Sequence, residues 1–93
     1  MMREVVNVRR YRITGPYRLW LQFTDGLAGE WDFSGLLNDA RPVAQPLHDQ
    51  TFFEQVFLDF GALTWPNGFD WSPEALHADM AAAGVLKFES AAA

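Results

Sequence analysis

Between Trp65 and Leu76 the chain reads Trp-Pro-Asn-Gly-Phe-Asp-Trp-Ser-Pro-Glu-Ala-Leu, with two tryptophans, two prolines, an Asn-Gly pair and a helix start in twelve residues. Proline fixes φ at about −65° and lacks an N–H, and Asn-Gly supplies the turn conformations that other residues resist. Ser72-Pro73 is a favoured helix opening, because serine accepts from a free amide and proline's missing N–H costs nothing in the first turn. The chain must enter this corner as a strand, turn, and leave as a helix. Turn and cap chemistry accounts for Trp65, Pro66, Asn67, Gly68, Asp70, Trp71 and Pro73 as a structural motif. The two indoles are expected to be core pillars, and Asp70 is expected to bond backbone amides near Ser72.

Upstream, the pattern is that of strands. Glu4–Ile13 alternates apolar and polar residues over part of its length and breaks at Thr14-Gly15-Pro16. In Arg18–Phe23, period two sets Leu19, Leu21 and Phe23 on one face and Arg18, Trp20 and Gln22 on the other. Asp25-Gly26 is a hairpin signal, and Leu27–Phe33 is the return strand. Ser34 is expected to cap a short helical turn over 34–39, and Pro42 and Pro46 bar a long helix from the connector. Asp49 should cap a helix whose buried stripe is Phe52, Phe53, Val56 and Phe57. Leu58–Trp65 is expected to be a fourth strand. The last helix, with Leu76, Met80 and Ala83 on one side, should end at Gly84. Together these elements predict an α+β domain over 1–84: a small antiparallel sheet of about four strands with two main helices on one face. Residues 85–93 are expected to be a tail or a short added strand.

Composition narrows the function classes. With no cysteine among 93 residues, disulfides, thiol catalysis and thiolate metal sites are excluded. No apolar run is long enough for a membrane span and the N-terminus lacks the apolar core of a signal peptide, so a cytoplasmic protein without a membrane partner is expected. Residues 1–18 hold five arginines against one glutamate, net +4, while residues 19–93 hold two cations against eleven acids, net −9. A basic leading edge on an acidic body can steer charged partners.

The ordered set Phe23-x-Asp25-Gly26, Trp31-Asp32-Phe33, Leu47-x-Asp49-x-x-x-Phe53, Trp65-Pro66-Asn67-Gly68-x-Asp70 and Pro73-Glu74-x-Leu76 resembles the small bacterial "domain of unknown function 2442" family. The resemblance implies a compact α+β domain with no assigned activity, found alone or ahead of a helix-turn-helix domain. It also implies a neighbouring small uncharacterised domain, an arrangement suggestive of a toxin–antitoxin-like pair. No helix-turn-helix domain is expected within these 93 residues, and His77 stands where many members carry tyrosine.

No recognisable catalytic motif emerges. His48 adjoins Asp49, and His77 follows Glu74 and Asp70, with Glu74 placed to meet it on a helix face. Asp25, Glu30 and Asp32 straddle one hairpin but lack the ligand rhythm of a calcium loop, so no metal and no cofactor is expected. The glycines form no phosphate-cradling pattern. The leading expectation is a non-enzymatic protein-interaction module, one half of a toxin–antitoxin-like pair or a self-associating homodimer. Its partner-binding residues would be Trp20, Arg18 and Tyr11 on the open sheet face. The alternative is a nucleic-acid-binding accessory domain using Arg9, Arg10, Arg12 and Arg18, whose guanidiniums interleave with aromatic rings.

Overall fold

Alternating side chains drive the first third of the chain into a meander. In a computed structural model, which describes residues 5–88, strands β1 (Val8–Gly15), β2 (Arg18–Phe23) and β3 (Leu27–Asp32) pair antiparallel in chain order. Leu19, Leu21 and Phe23 are wholly buried, as the period-two reading requires. Each such side chain contributes roughly 1.5–3 kcal/mol over its exposed state.

Leu58–Trp65 is not one strand. It divides at Phe60-Gly61 into β4 (Phe57–Asp59) and β5 (Ala62–Thr64), which form a second, three-stranded sheet with β6 (Asp70–Trp71). The fourth strand of the main sheet is instead β7 (Lys87–Phe88), paired antiparallel with the start of β3. The fold class is therefore α+β, with two antiparallel sheets where one was expected.

The helical segments are shorter than their apolar spacing suggests. Asp49 caps α1 (Gln50–Phe53) by accepting from the Thr51 amide at 2.8 Å, but the helix stops after one turn. Phe53 is wholly buried, whereas Phe57 has already entered β4 and is 42% exposed. A four-residue helix has little stability of its own, and the Val56 carbonyl is taken by the Tyr11 hydroxyl at 2.8 Å. At the preceding 3-10 turn (Ser34–Asn38), Ser34 is not the cap: its amide donates to the Asp32 carboxylate at 2.8 Å. The prolines of the connector fit a second 3-10 turn, Pro42–His48. Helix α2 (Pro73–Ala82) opens as expected, with Ser72 Oγ accepting from the Ala75 amide. It buries Leu76 and Met80, leaves Ala83 exposed, and turns out at Gly84 with φ +74°. No helix among the described residues is long and apolar enough to cross a membrane.

An aromatic cluster joins the two sheets. The Phe53 ring lies 4.8 Å from Tyr17 and 5.8 Å from both Phe33 and Trp65, and Trp65 lies 5.6 Å from Phe69. The Trp65 indole N–H donates to the buried Phe53 carbonyl at 2.8 Å.

Among the described residues, two other than glycine hold positive φ, and only one has a return for it within the fold. Tyr17, at φ +55°, is buried and its hydroxyl donates to the Leu47 carbonyl at 2.9 Å. Phe60, at φ +50°, leads the two-residue turn between β4 and β5 and is 97% exposed. That turn position is best filled by asparagine or glycine, and left-handed backbone costs other residues roughly 1–2 kcal/mol. Phe60→Asn is therefore expected to raise stability by about 1 kcal/mol, or several degrees in Tm by calorimetry. An unchanged or lower Tm would show that the exposed ring is supporting the fold.

Candidate functional site

The uncovered face of the main sheet holds Arg18, Trp20 and Gln22, which period two placed there, adds Arg10 and Arg12 from β1, and brings in residues from β3 and β7. Register sets Arg12 opposite Trp20, Trp20 opposite Glu30, and Arg18 opposite Asp32. Arg10 lies opposite Gln22, which lies opposite Ala28, and Ala28 meets Lys87. The guanidinium carbons of Arg12 and Arg10 sit 4.8 and 5.6 Å from the centroid of the Trp20 ring. Such cation–π contacts contribute about 0.5–1 kcal/mol each at exposed sites. Gln22, buried although it lies on this face, accepts from Arg10 Nε at 2.7 Å and so fixes the upper arginine.

Arg18 behaves differently from its neighbours. Its Nη2 pairs with Glu30 at 2.6 Å and its Nη1 lies 3.8 Å from Asp32. Thr14, and after it the Arg18 guanidinium, hold the Glu30 carboxyl below its ordinary range. The Ser34 hydrogen bonds do the same for Asp32. Arg18 is thus locally neutralised, whereas Arg10 and Arg12 form no ion pair among the described residues. Arg9 is exposed in the irregular step between Val8 and Arg10.

Tyr11 is not on this face. It pairs with Leu21, is half-buried against the core, and its hydroxyl reaches the Val56 carbonyl. The register shift between Val8 and Arg10 is the cause: an extra residue at Arg9 moves every later side chain of β1 to the other face. The open surface is therefore Arg10, Arg12, Trp20 and Gln22, bordered by the Arg18–Glu30–Asp32 group. Period two placed Gln22 on this face, but its bond to Arg10 and the pairing of Glu30 and Asp32 with Arg18 depend on cross-strand register.

The corner holds together largely as turn chemistry dictates. The Gly68 amide donates to the Trp65 carbonyl, the Trp65 amide donates to the Phe69 carbonyl, and Gly68 has φ +92°. Asn67 accepts from the Phe69 amide and donates to the Val43 carbonyl at 2.8 Å, which ties the turn to the connector. Trp65 is a wholly buried pillar, while Trp71 is only half-buried. Asp70 departs from expectation. Its carboxylate accepts no hydrogen bond among the described residues, because Ser72 alone caps α2. Arg41, from the connector, lies 5.5 Å over the Phe69 ring and grips Asp39 through Nε and Nη2, the shorter contact being 2.6 Å. Hydrogen bonds from that guanidinium pull the Asp39 carboxyl down to about 2.

The histidines do not meet the acidic neighbours that the sequence suggested for them. His77 turns away from Glu74 and places Nε2 at 2.8 Å from Asp25 Oδ2, with its ring edge-on to Phe23. His48 Nε2 donates to the Asp39 carbonyl at 3.0 Å. The hairpin acids are likewise engaged, Asp25 by Leu27 and His77, Glu30 by Arg18 and Asp32 by Ser34. No group of three metal-binding side chains occurs among the described residues.

A family model described as "Protein of unknown function (DUF2442)" matches residues 8–81. The chain belongs to the DUF2442 family. The matched span contains β1 through nearly all of α2, and so includes both the arginine face and the corner of this DUF2442 protein. No curated protein and no solved structure matches it.

Proposed function

We propose that this DUF2442 protein is a non-enzymatic interaction module that binds an anionic surface of a protein partner through the open face of its main sheet. The supporting observation is the placement of Arg10 and Arg12, without carboxylate partners among the described residues, over the Trp20 ring. Arginine and tryptophan together are the side chains most often found at energetic centres of interfaces. Gln22 holds one guanidinium in place before a partner arrives, which reduces the ordering cost of binding. The partner is a small protein, in keeping with one half of a toxin–antitoxin-like pair, or a second copy that presents its acidic body.

A nucleic-acid role is the second reading. It draws on the same arginines, but the geometry favours it less. A base-stacking platform needs an open ring face, whereas two guanidiniums already lie over Trp20.

The test is co-purification of the tagged protein from its host with and without nuclease treatment, comparing wild type with an Arg10→Glu/Arg12→Glu variant. A stoichiometric protein is expected with wild type, and at least about tenfold less with the variant at equal Tm, as loss of about 1.4 kcal/mol would give. A protein retained equally by the variant overturns the proposal. A partner lost to nuclease alone transfers the assignment to the nucleic-acid reading.

A further inference from the structure

Most of the Trp65–Pro73 corner has a structural task, but Asp70 and the outer side of Trp71 do not. Asp70 is exposed and its carboxylate meets no donor among the described residues. Trp71 contacts Phe33 and Phe69 in edge-to-face geometry, at 5.1 and 6.3 Å, and its indole N–H has no acceptor among the described residues. Both line a cleft of about 220 Å³, whose other walls are Arg41, Phe69, Ser72 and Ala75.

The charge of the cleft selects its occupant. Arg41 contributes little free positive charge, because Nε and Nη2 are both spent on Asp39. Asp70 is left unbalanced, and Glu74 adds a further negative charge in the first turn of α2. At the N-terminus of α2, Pro73 has no amide hydrogen, Ser72 Oγ takes the Ala75 amide and the Ser72 carbonyl takes the Leu76 amide, which leaves only the Glu74 amide. The cleft's own cation, Arg41, is paired with Asp39, so it is Asp70 that has no cationic partner among the described residues. The aromatic walls favour a flat cation: the Phe69 ring already carries the Arg41 guanidinium, and a carboxylate accepts a guanidinium through two parallel hydrogen bonds. A lysine ammonium offers neither the plane nor the fork.

We infer that the cleft between Asp70 and Trp71 is a subsite for an arginine side chain presented by a partner peptide, with Asp70 taking the guanidinium fork and Trp71 its face. This site is independent of the Arg10–Arg12 surface.

The probe is N-acetyl-L-arginine amide, titrated into the full chain and followed by amide and indole chemical shifts. Saturable shifts are expected at Phe69–Ala75 and at the Trp71 indole, with a dissociation constant in the millimolar range. N-acetyl-L-lysine amide should bind at least about tenfold more weakly. Asp70→Asn should weaken the arginine probe by at least about tenfold with Tm unchanged, and Asp70→Glu should restore much of the affinity. Shifts that do not saturate, a lysine probe binding as well as arginine, or an Asp70→Asn variant binding like wild type would each overturn the assignment.

Discussion

Trp65→Ala is expected to cost about 3–5 kcal/mol, a large part of the roughly 5–15 kcal/mol that holds a domain of this kind together. The indole is wholly buried and lies between the Phe53 and Phe69 rings at 5.8 and 5.6 Å. Truncation leaves a cavity where three segments meet: α1, the β5–β6 turn and the aromatic cluster behind them. It also removes the shorter of the two hydrogen bonds to the buried Phe53 carbonyl, which keeps only the Val56 amide at 3.3 Å, a loss of about 0.5–1.5 kcal/mol. Urea denaturation measures the loss through a shifted midpoint. If the alanine variant does not fold, Trp65→Phe separates the causes, because it refills much of the volume but not the hydrogen bond. A loss below about 1 kcal/mol for alanine would remove Trp65 from the role of pillar.

Gly29→Ala is expected to destabilise by about 1–3 kcal/mol, against the usual gain from replacing glycine within a strand. A Cβ at this position would lie 2.4 Å from the Val85 carbonyl oxygen and 3.1 Å from its carbon. Both atoms are backbone, so no side chain can rotate away; the segment after α2 must lift from β3. The backbone of Gly29 is otherwise ordinary, and only the close approach demands glycine. Hydrogen exchange should therefore quicken at Lys87 and Phe88, which pair with the start of β3, before the rest of the sheet is affected. A Tm equal to or above wild type would show that the chain beyond Gly84 is not held against the sheet.

The two variants probe different kinds of dependence on sequence. The task of Trp65 is partly legible in the sequence, since a tryptophan before Pro-Asn-Gly must sit at a turn and its bulk calls for burial. The task of Gly29 is not legible, because its constraint comes from a carbonyl 56 residues later. Phe60 shows the opposite error. Its apolar character reads as strand interior, yet it stands at a hairpin tip, because Gly61 packs close to the Asn7 side chain and its carbonyl accepts from the Val8 amide. That bond, in which the Val8 amide donates to the Gly61 carbonyl at 2.8 Å, anchors the second sheet to the first and leaves the Phe60 ring outside.

Charge was read correctly in kind but not in detail. The basic first strands do carry an arginine face, yet Arg18 is neutralised by Glu30 and Asp32, while Arg10 and Arg12 keep their charge. Which arginine is tied depends on which strand lies beside it, and adjacent strands are specified by register. Tyr11 left the expected surface for the same reason, through one inserted residue at Arg9.

Local chemistry by itself determined the strand faces of β2, the turn at Asn67-Gly68, the Ser72 cap, the Asp49 cap and the α+β class. These follow from dihedral preference and side-chain period, which act over a few residues. Tertiary structure alone decided that 57–64 would split into a hairpin, that α1 would stop after one turn, and that Asp70 would face an open cleft. Each of those outcomes depends on a contact between segments distant in sequence, and the free energy of such a contact exists only once the core has brought them together.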